Sequence, residues 1–268
     1  MPAIDTVACF STQAGAAAFP VNLAAAPGDS LNVRNFPASA SASLEALIYS
    51  AGGGQKVRVV SPNLHDPQTG LTFAPAEVPA QFLVPQDAGV ALQANDVLTV
   101  QGACAGATTI VAGLQVYYSQ LPGISARLHS WGDISGNYKY IKSVEVDLLA
   151  VAVGAWTDTV ITNTENQLHA NKDYAVLGYQ TTAALDVVGV KGSATGNLRA
   201  CGPGGTSTLD ITEYFVYMSE RNNVPYIPVF NSDDRNSFYV SVFNHVAVAG
   251  GAQSVYLILA ELINTVSP

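Results

Sequence analysis

Two stretches of this chain repeat one another at a constant offset. The first begins at Leu44 with a strand-like segment (Leu44-Glu45-Ala46-Leu47-Ile48-Tyr49). A glycine turn (Ala51-Gly52-Gly53-Gly54) and an alternating segment with one arginine, Arg58, follow, and Pro62 ends it. The second places Leu185 on Leu44, Asp186 on Glu45, Arg199 on Arg58 and Pro203 on Pro62, with Gly192-Ser193-Ala194-Thr195-Gly196 at the turn. Two further matches come in the same order. Val78-Pro79-Ala80-Gln81-Phe82 resembles Val224-Pro225-Tyr226-Ile227-Pro228, and Leu114-Gln115-Val116-Tyr117 resembles Val255-Tyr256-Leu257-Ile258. Self-similarity at a near-fixed spacing is the signature of a repeated structural unit, and small drifts in the offset fit insertions in loops. The chain reads as two copies of one unit, with Arg58 and Arg199 at equivalent places.

The unit itself is β. Short alternating or β-branched runs bounded by Gly, Pro, Asn and Asp recur at 44–49, 56–60, 81–84, 97–100, 113–118, 174–179, 185–190, 214–217, 238–243 and 255–259. Runs of this length and spacing point to an antiparallel sandwich or barrel. The tail 256–266 fits a helix or a strand. Residues 122–136, with Pro122, Gly123, Gly132 and Gly136 among polar neighbours, form the natural boundary. The expected organisation is all-β: a first sandwich over 1–122, a linker over 123–136 and a second sandwich over 137–268. Each has the size of a Greek-key jelly roll.

Composition narrows the functional classes. Charged residues make up 12% of the 268 residues and apolar ones 49%, against about 25% charged in ordinary soluble domains. Such a chain hides much of its surface, and self-association is the first expectation. The net charge of −9 and the lack of any Lys/Arg cluster argue against nucleic-acid binding, which needs phosphate-neutralising cations. Residues 1–10 lack the basic start of a secretory signal and carry Asp5. Cys9, Cys104 and Cys201 stand far apart without metal-ligand spacing, and read as reduced thiols of a protein assembled in a cytoplasm.

Catalytic chemistry finds little support, and no catalytic or cofactor-binding residue is assigned. The histidines (His65, His129, His169, His245) are isolated, and the His65-Asp66 dipeptide lies in a proline-rich loop. The Gly52-Gly53-Gly54 turn leads into an alternating strand rather than the helix a phosphate site needs. Asp233 and Asp234 share a turn and are the weak candidates for calcium, without the spacing of a calcium-binding loop. Arg58 and Arg199 suit structural bridges to carboxylates or carbonyls. The aromatic clusters, Tyr117-Tyr118, Tyr138/Tyr140, Tyr214-Phe215 and Phe238-Tyr239, would place half their rings off the sandwich core.

The paired blocks from Leu44 to Pro62 and from Leu185 to Pro203, with the two later pairs, resemble in plan the double jelly-roll major capsid proteins of tailless icosahedral viruses and phages. The resemblance covers nearly the whole chain as architecture. It implies a structural virion protein without enzymatic activity or cofactor, whose homotrimers form pseudo-hexagonal capsomers of a shell. Its partners would be itself, other virion proteins and, in some such viruses, an internal membrane, with no sequence-specific nucleic acid. The alternatives are a phage head fibre, spike or decoration protein, and a tandem carbohydrate-binding module.

Overall fold

The segment 56–60 shows how this sequence makes strands. Val57 and Val59 are buried on one side, while Lys56 is exposed and Arg58 half-exposed on the other, the two-residue period of a sheet with one face on the core. The computed structural model describes residues 1–13, 16–50, 56–63, 70–73, 80–84, 91–104, 106–161, 168–182, 185–204, 211–251 and 253–266. The first half supplies β1 (Ala3–Gln13), β2 (Ala16–Asn22), β3 (Ala24–Ala25), β4 (Ala42–Ser50) and β5 (Lys56–Val60). It continues with β6 (Leu71–Phe73), β7 (Ala80–Leu83), β8 (Ala91–Leu92), β9 (Thr99–Cys104) and β10 (Thr108–Tyr118). The second half supplies β11 (Leu128–His129), helix α1 (Trp131–Ile134), β12 (Tyr138–Asp147), β13 (Thr157–Val160), β14 (Asp173–Thr181) and β15 (Val187–Gly192). Then come β16 (Arg199–Pro203), helix α2 (Tyr214–Asn222), β17 (Ile227–Asn231), a 3-10 turn (Ser232–Ser237), β18 (Phe238–Phe243) and β19 (Ser254–Leu262).

These strands form four antiparallel sheets. The first half builds β3-β1-β10-β4-β7, with β8 beside β4, and β2-β9-β5-β6. The second builds β11-β17-β14-β19-β12 and β13-β18-β15-β16. Among the described residues, no strand of one half pairs with a strand of the other. When the small edge strands β3, β8 and β11 are set aside, the described residues of each half form eight strands in one order. The first, eighth, third and sixth make one sheet, and the second, seventh, fourth and fifth make the other. Each pair of sheets encloses its own apolar core, around Leu44, Leu47, Val57, Val100 and Leu114 in the first half and around Val144, Val176, Val188, Val240 and Leu257 in the second.

The strand order corrects three expectations. Arg58 lies in β5, the fourth strand of its half, whereas Arg199 opens β16, the fifth. Leu44 lies in the third strand and Leu185 just before the fourth; Pro62 follows the fourth and Pro203 ends the fifth. The matched blocks are therefore one strand out of step, because strand–glycine turn–strand patterns look alike wherever they occur in a β chain. The two later matches do fall on counterpart strands, β7 with β17 and β10 with β19. The segment 123–136 is also more than a linker, since β11 pairs with β17 and Ile134 of α1 is buried in the second core. Finally, 214–217 is helical. Tyr214, Phe215 and Met218 are buried along one side of α2, and Asn223 closes it in the left-handed conformation at φ 51°, so tertiary burial overrides the β preference of Tyr-Phe-Val-Tyr.

Candidate functional site

The two halves meet sheet to sheet. The outward side of β1, β10 and β4 is made of Thr6, Ala8, Gln115, Gly113, Val111 and Ile48, at most 1% exposed wherever it carries a side chain. Val187, Cys201 and Phe243, from the outward side of the β13-β18-β15-β16 sheet, pack into one buried cluster with Ala8, Ile48 and Val111. Gly113 permits the close approach, since a Cβ there would stand 3.3 Å from the Val187 side chain.

Thr6, Gln115, Tyr214 and Gln81 form one hydrogen-bonded chain inside this seam, while the buried Tyr226 hydroxyl and Arg199 Nε beside it have no hydrogen-bond partner among the described residues. The Cys201 N–H donates to the Thr6 hydroxyl at 3.0 Å, and Gln115 Nε2 donates to the Cys201 carbonyl at 2.5 Å. The Tyr214 hydroxyl donates to Gln115 Oε1 at 2.9 Å and accepts from Gln81 Nε2 at 2.8 Å. At the far end of α2, Arg221 donates to the Val84 carbonyl and Asn222 to Glu45, so the helix fastens both halves. Beside it Tyr117 and Tyr226 stack with centroids 6.2 Å apart.

An ionic cluster borders the seam. Asp29 Oδ2 accepts from the Ala8 N–H and from Trp156 Nε1, both at 2.8 Å, while its other oxygen lies 3.5 Å from Arg199. The Arg199 guanidinium also pairs with Asp158 at 3.1 Å and covers the Trp156 ring at 4.5 Å. Lys191 reaches Asp158 at 2.9 Å. Burial raises the Asp29 carboxyl above its usual range, although its donors and Arg199 pull the other way. Burial acts upward on Asp158 too, but the Ser241 hydroxyl, Lys191 and Arg199 outweigh it and hold that carboxyl low. Arg199 thus forms the expected bridge to carboxylates, and the bridge spans both halves.

The other residues singled out from the sequence serve local purposes. Arg58 donates to Gln101 Oε1 at 2.6 Å on the outward face of its sheet. Leu44 and Leu185 are core residues, Pro62 lies in an exposed turn, and the Pro203 carbonyl accepts from Tyr179 at 2.9 Å. Asp233 accepts from the Asn171 N–H at 3.1 Å, and the Asp234 carbonyl accepts from Ser237. Among the described residues, no three His, Cys, Asp or Glu side chains converge as a metal site would need. His65, Asp66 and the glycines 52–54 lie outside the described residues. His245 Nδ1 lies 2.8 Å from Asp186, tying the loop after β18 to the start of β15. His169 meets Glu261 at 2.7 Å. The sequence carries no sign of the roles of Asp29, Trp156, Thr6 and Gln115, whose partners across the seam lie 86 to 195 residues away and leave no local pattern.

No family model matches the chain, nor does any curated protein or solved structure. Its own geometry carries the functional reading.

Proposed function

We propose that this chain is a structural shell subunit built from two jelly rolls, whose homotrimers form pseudo-hexagonal capsomers of a virion. The observation behind the reading is the shared strand order. With β3, β8 and β11 set aside, both halves place eight strands of the described residues in two sheets in one order, which supports reading each as a Greek-key jelly roll, and the halves stand side by side through a buried seam. Two units of similar footprint in each chain turn a threefold assembly into a six-unit tile. The low charge and apolar surplus fit a protein that spends its working life in contact with copies of itself. Reading the two halves as an internal duplication draws on the same strand order and on the β7/β17 and β10/β19 matches. Three buried thiols fit assembly in a host cytoplasm.

The test is the mass of the purified protein by light scattering at micromolar concentration over a range of salt, followed by negative-stain imaging. Particles of three chains with a hexagonal outline, or shells, are expected. A chain that stays monomeric under every condition overturns the reading and favours a tandem binding module.

A further inference from the structure

We infer that copies of this chain join through two faces that each chain leaves open: the outward side of β12 and β19 in one copy against the outward side of β5 and β9 in the next. The inference rests on the shell-subunit reading and names the contact that builds it.

The seam inside the chain supplies the pattern. There the outward side of the first unit's β1-β10-β4-β7 sheet is covered by the outward side of the second unit's β13-β18-β15-β16 sheet. The counterpart of the covered sheet is β12-β19-β14-β17, and the counterpart of the covering sheet is β2-β9-β5-β6. Among the described residues, the second of these sheets keeps Lys56 exposed and Arg58 half-exposed on its outward side, and the first is open along β12 and the adjoining part of β19, although Ala175, Ile227, Val229 and Ala260 further along that side are fully buried. Thr6, on the covered face, is 1% exposed, while Ile141, on its counterpart, is 55% exposed. Ser143, Glu145, Asp147 and Gln180 on that same side are exposed as well.

The chemistry of the two open faces is complementary. On the β12–β19 face, Glu145 accepts from the Tyr256 hydroxyl at 2.7 Å and Asp147 from the Ser254 hydroxyl at 2.9 Å. Both carboxylates are thereby held in place across the strand pair. On the β5–β9 face, Lys56 and Arg58 project from the same side of one strand. Arg58 bonds to Gln101, and Gln101 Nε2 donates to Asn22 at 3.0 Å, giving a polar row along the sheet. Two acidic side chains meeting two basic ones, with Glu145, Asp147 and Arg58 already oriented by bonds within their own sheets, set register and partner choice at an interface. A face-to-counterface contact is heterologous, so it propagates around an axis until it closes. Three chains close a ring of six units when the contact between copies repeats the turn of the contact within the chain.

Charge reversal tests this. Glu145→Lys with Asp147→Lys, and separately Lys56→Glu with Arg58→Glu, are each expected to weaken trimer formation at least about tenfold, with the strand content of the fold unchanged by circular dichroism. The quadruple variant regains complementarity and is expected to regain the trimer. Mixing the two double variants gives pairs but no closed ring of three, because three contacts cannot alternate. As a readout independent of folding, carbodiimide treatment of mixed heavy- and light-isotope wild-type protein is expected to link Lys56 of one copy to Glu145 or Asp147 of another. Trimers that survive both double variants, or dissociation without recovery in the quadruple variant and without that cross-link, overturn the assignment of faces and leave the shell reading standing. A monomeric wild type overturns both.

Discussion

Replacing Asp29 by alanine removes the acceptor for two donors at the seam, the Ala8 N–H and Trp156 Nε1, each 2.8 Å away. The Asp29 side chain is 8% exposed, so water reaches the stranded donors poorly. Each buried donor left without a partner costs about 1–3 kcal/mol. Arg199 loses a neighbour at 3.5 Å but keeps Asp158 at 3.1 Å, which adds little. The expected loss for Asp29→Ala is about 3 kcal/mol, taking a middle value for two donors. Asp29→Asn keeps both donors on its single carbonyl oxygen and gives up only the charge, so its expected loss is smaller, about 1 kcal/mol. Urea unfolding followed by intrinsic fluorescence measures both, with Trp156 itself as a reporter of the seam. A double-mutant cycle with Trp156→Phe isolates the indole hydrogen bond and is expected to show about 1 kcal/mol of coupling. A loss below about 1 kcal/mol for Asp29→Ala, or a cycle additive within about 0.3 kcal/mol, refutes the view that this carboxylate fastens the two halves.

His245 has its pKa raised, first by its hydrogen bond to Asp186 and against the effect of burial. The stability it contributes is fully present below its unfolded value of about 6.5 and is lost as pH rises through the higher folded value. His245→Gln is therefore expected to flatten the stability profile just above about pH 6.5, in thermal melts run in steps of pH; an unchanged slope refutes the pairing. Burial pushes the Cys9 and Cys201 thiols far up, so they are expected to resist thiol reagents in the native protein. All three thiols should react in denaturant without added reductant; fewer than three without reductant would reveal a disulfide.

Individual strands were the most legible part of this sequence. The runs 56–60 and 238–243 coincide with β5 and β18, because β-branched alternation with flanking turn residues is a local signal. Helix α2 was hidden because Tyr214, Phe215, Val216 and Tyr217 favour strands, and only the burial of Tyr214, Phe215, Val216 and Met218, with Tyr217 left exposed, selects a helix. The paired blocks misaligned for a different reason. Leu44-Glu45-Ala46-Leu47-Ile48-Tyr49 lies in β4 of one sheet and is followed by β5 of the other, whereas the turn at Gly192 and Gly196 joins β15 to β16 within one sheet. Gly196 takes a positive φ of 64° in the hairpin, but a glycine-rich stretch of sequence does not distinguish a crossing from a hairpin. The ionic cluster at the seam was invisible because Asp29 and Trp156 become neighbours only after both sandwiches have formed.

The placement of β10 between β1 and β4 bears on how the protein is made. Residue 3 pairs with residue 118, so the first sandwich is closed only when its last strand leaves the ribosome, a pairing of high sequence separation and hence slow formation. Its outward face, with Ala8, Ile48 and Val111, then stays bare until β15, β16 and β18 have been synthesised. Elongation at about 5–20 residues per second makes that interval several seconds long. During it the nascent chain displays an apolar sheet face that neighbouring polysomal chains also display. Premature termination after the first sandwich would leave this face permanently uncovered, and such fragments would be sticky products of translation rather than half-sized functional units.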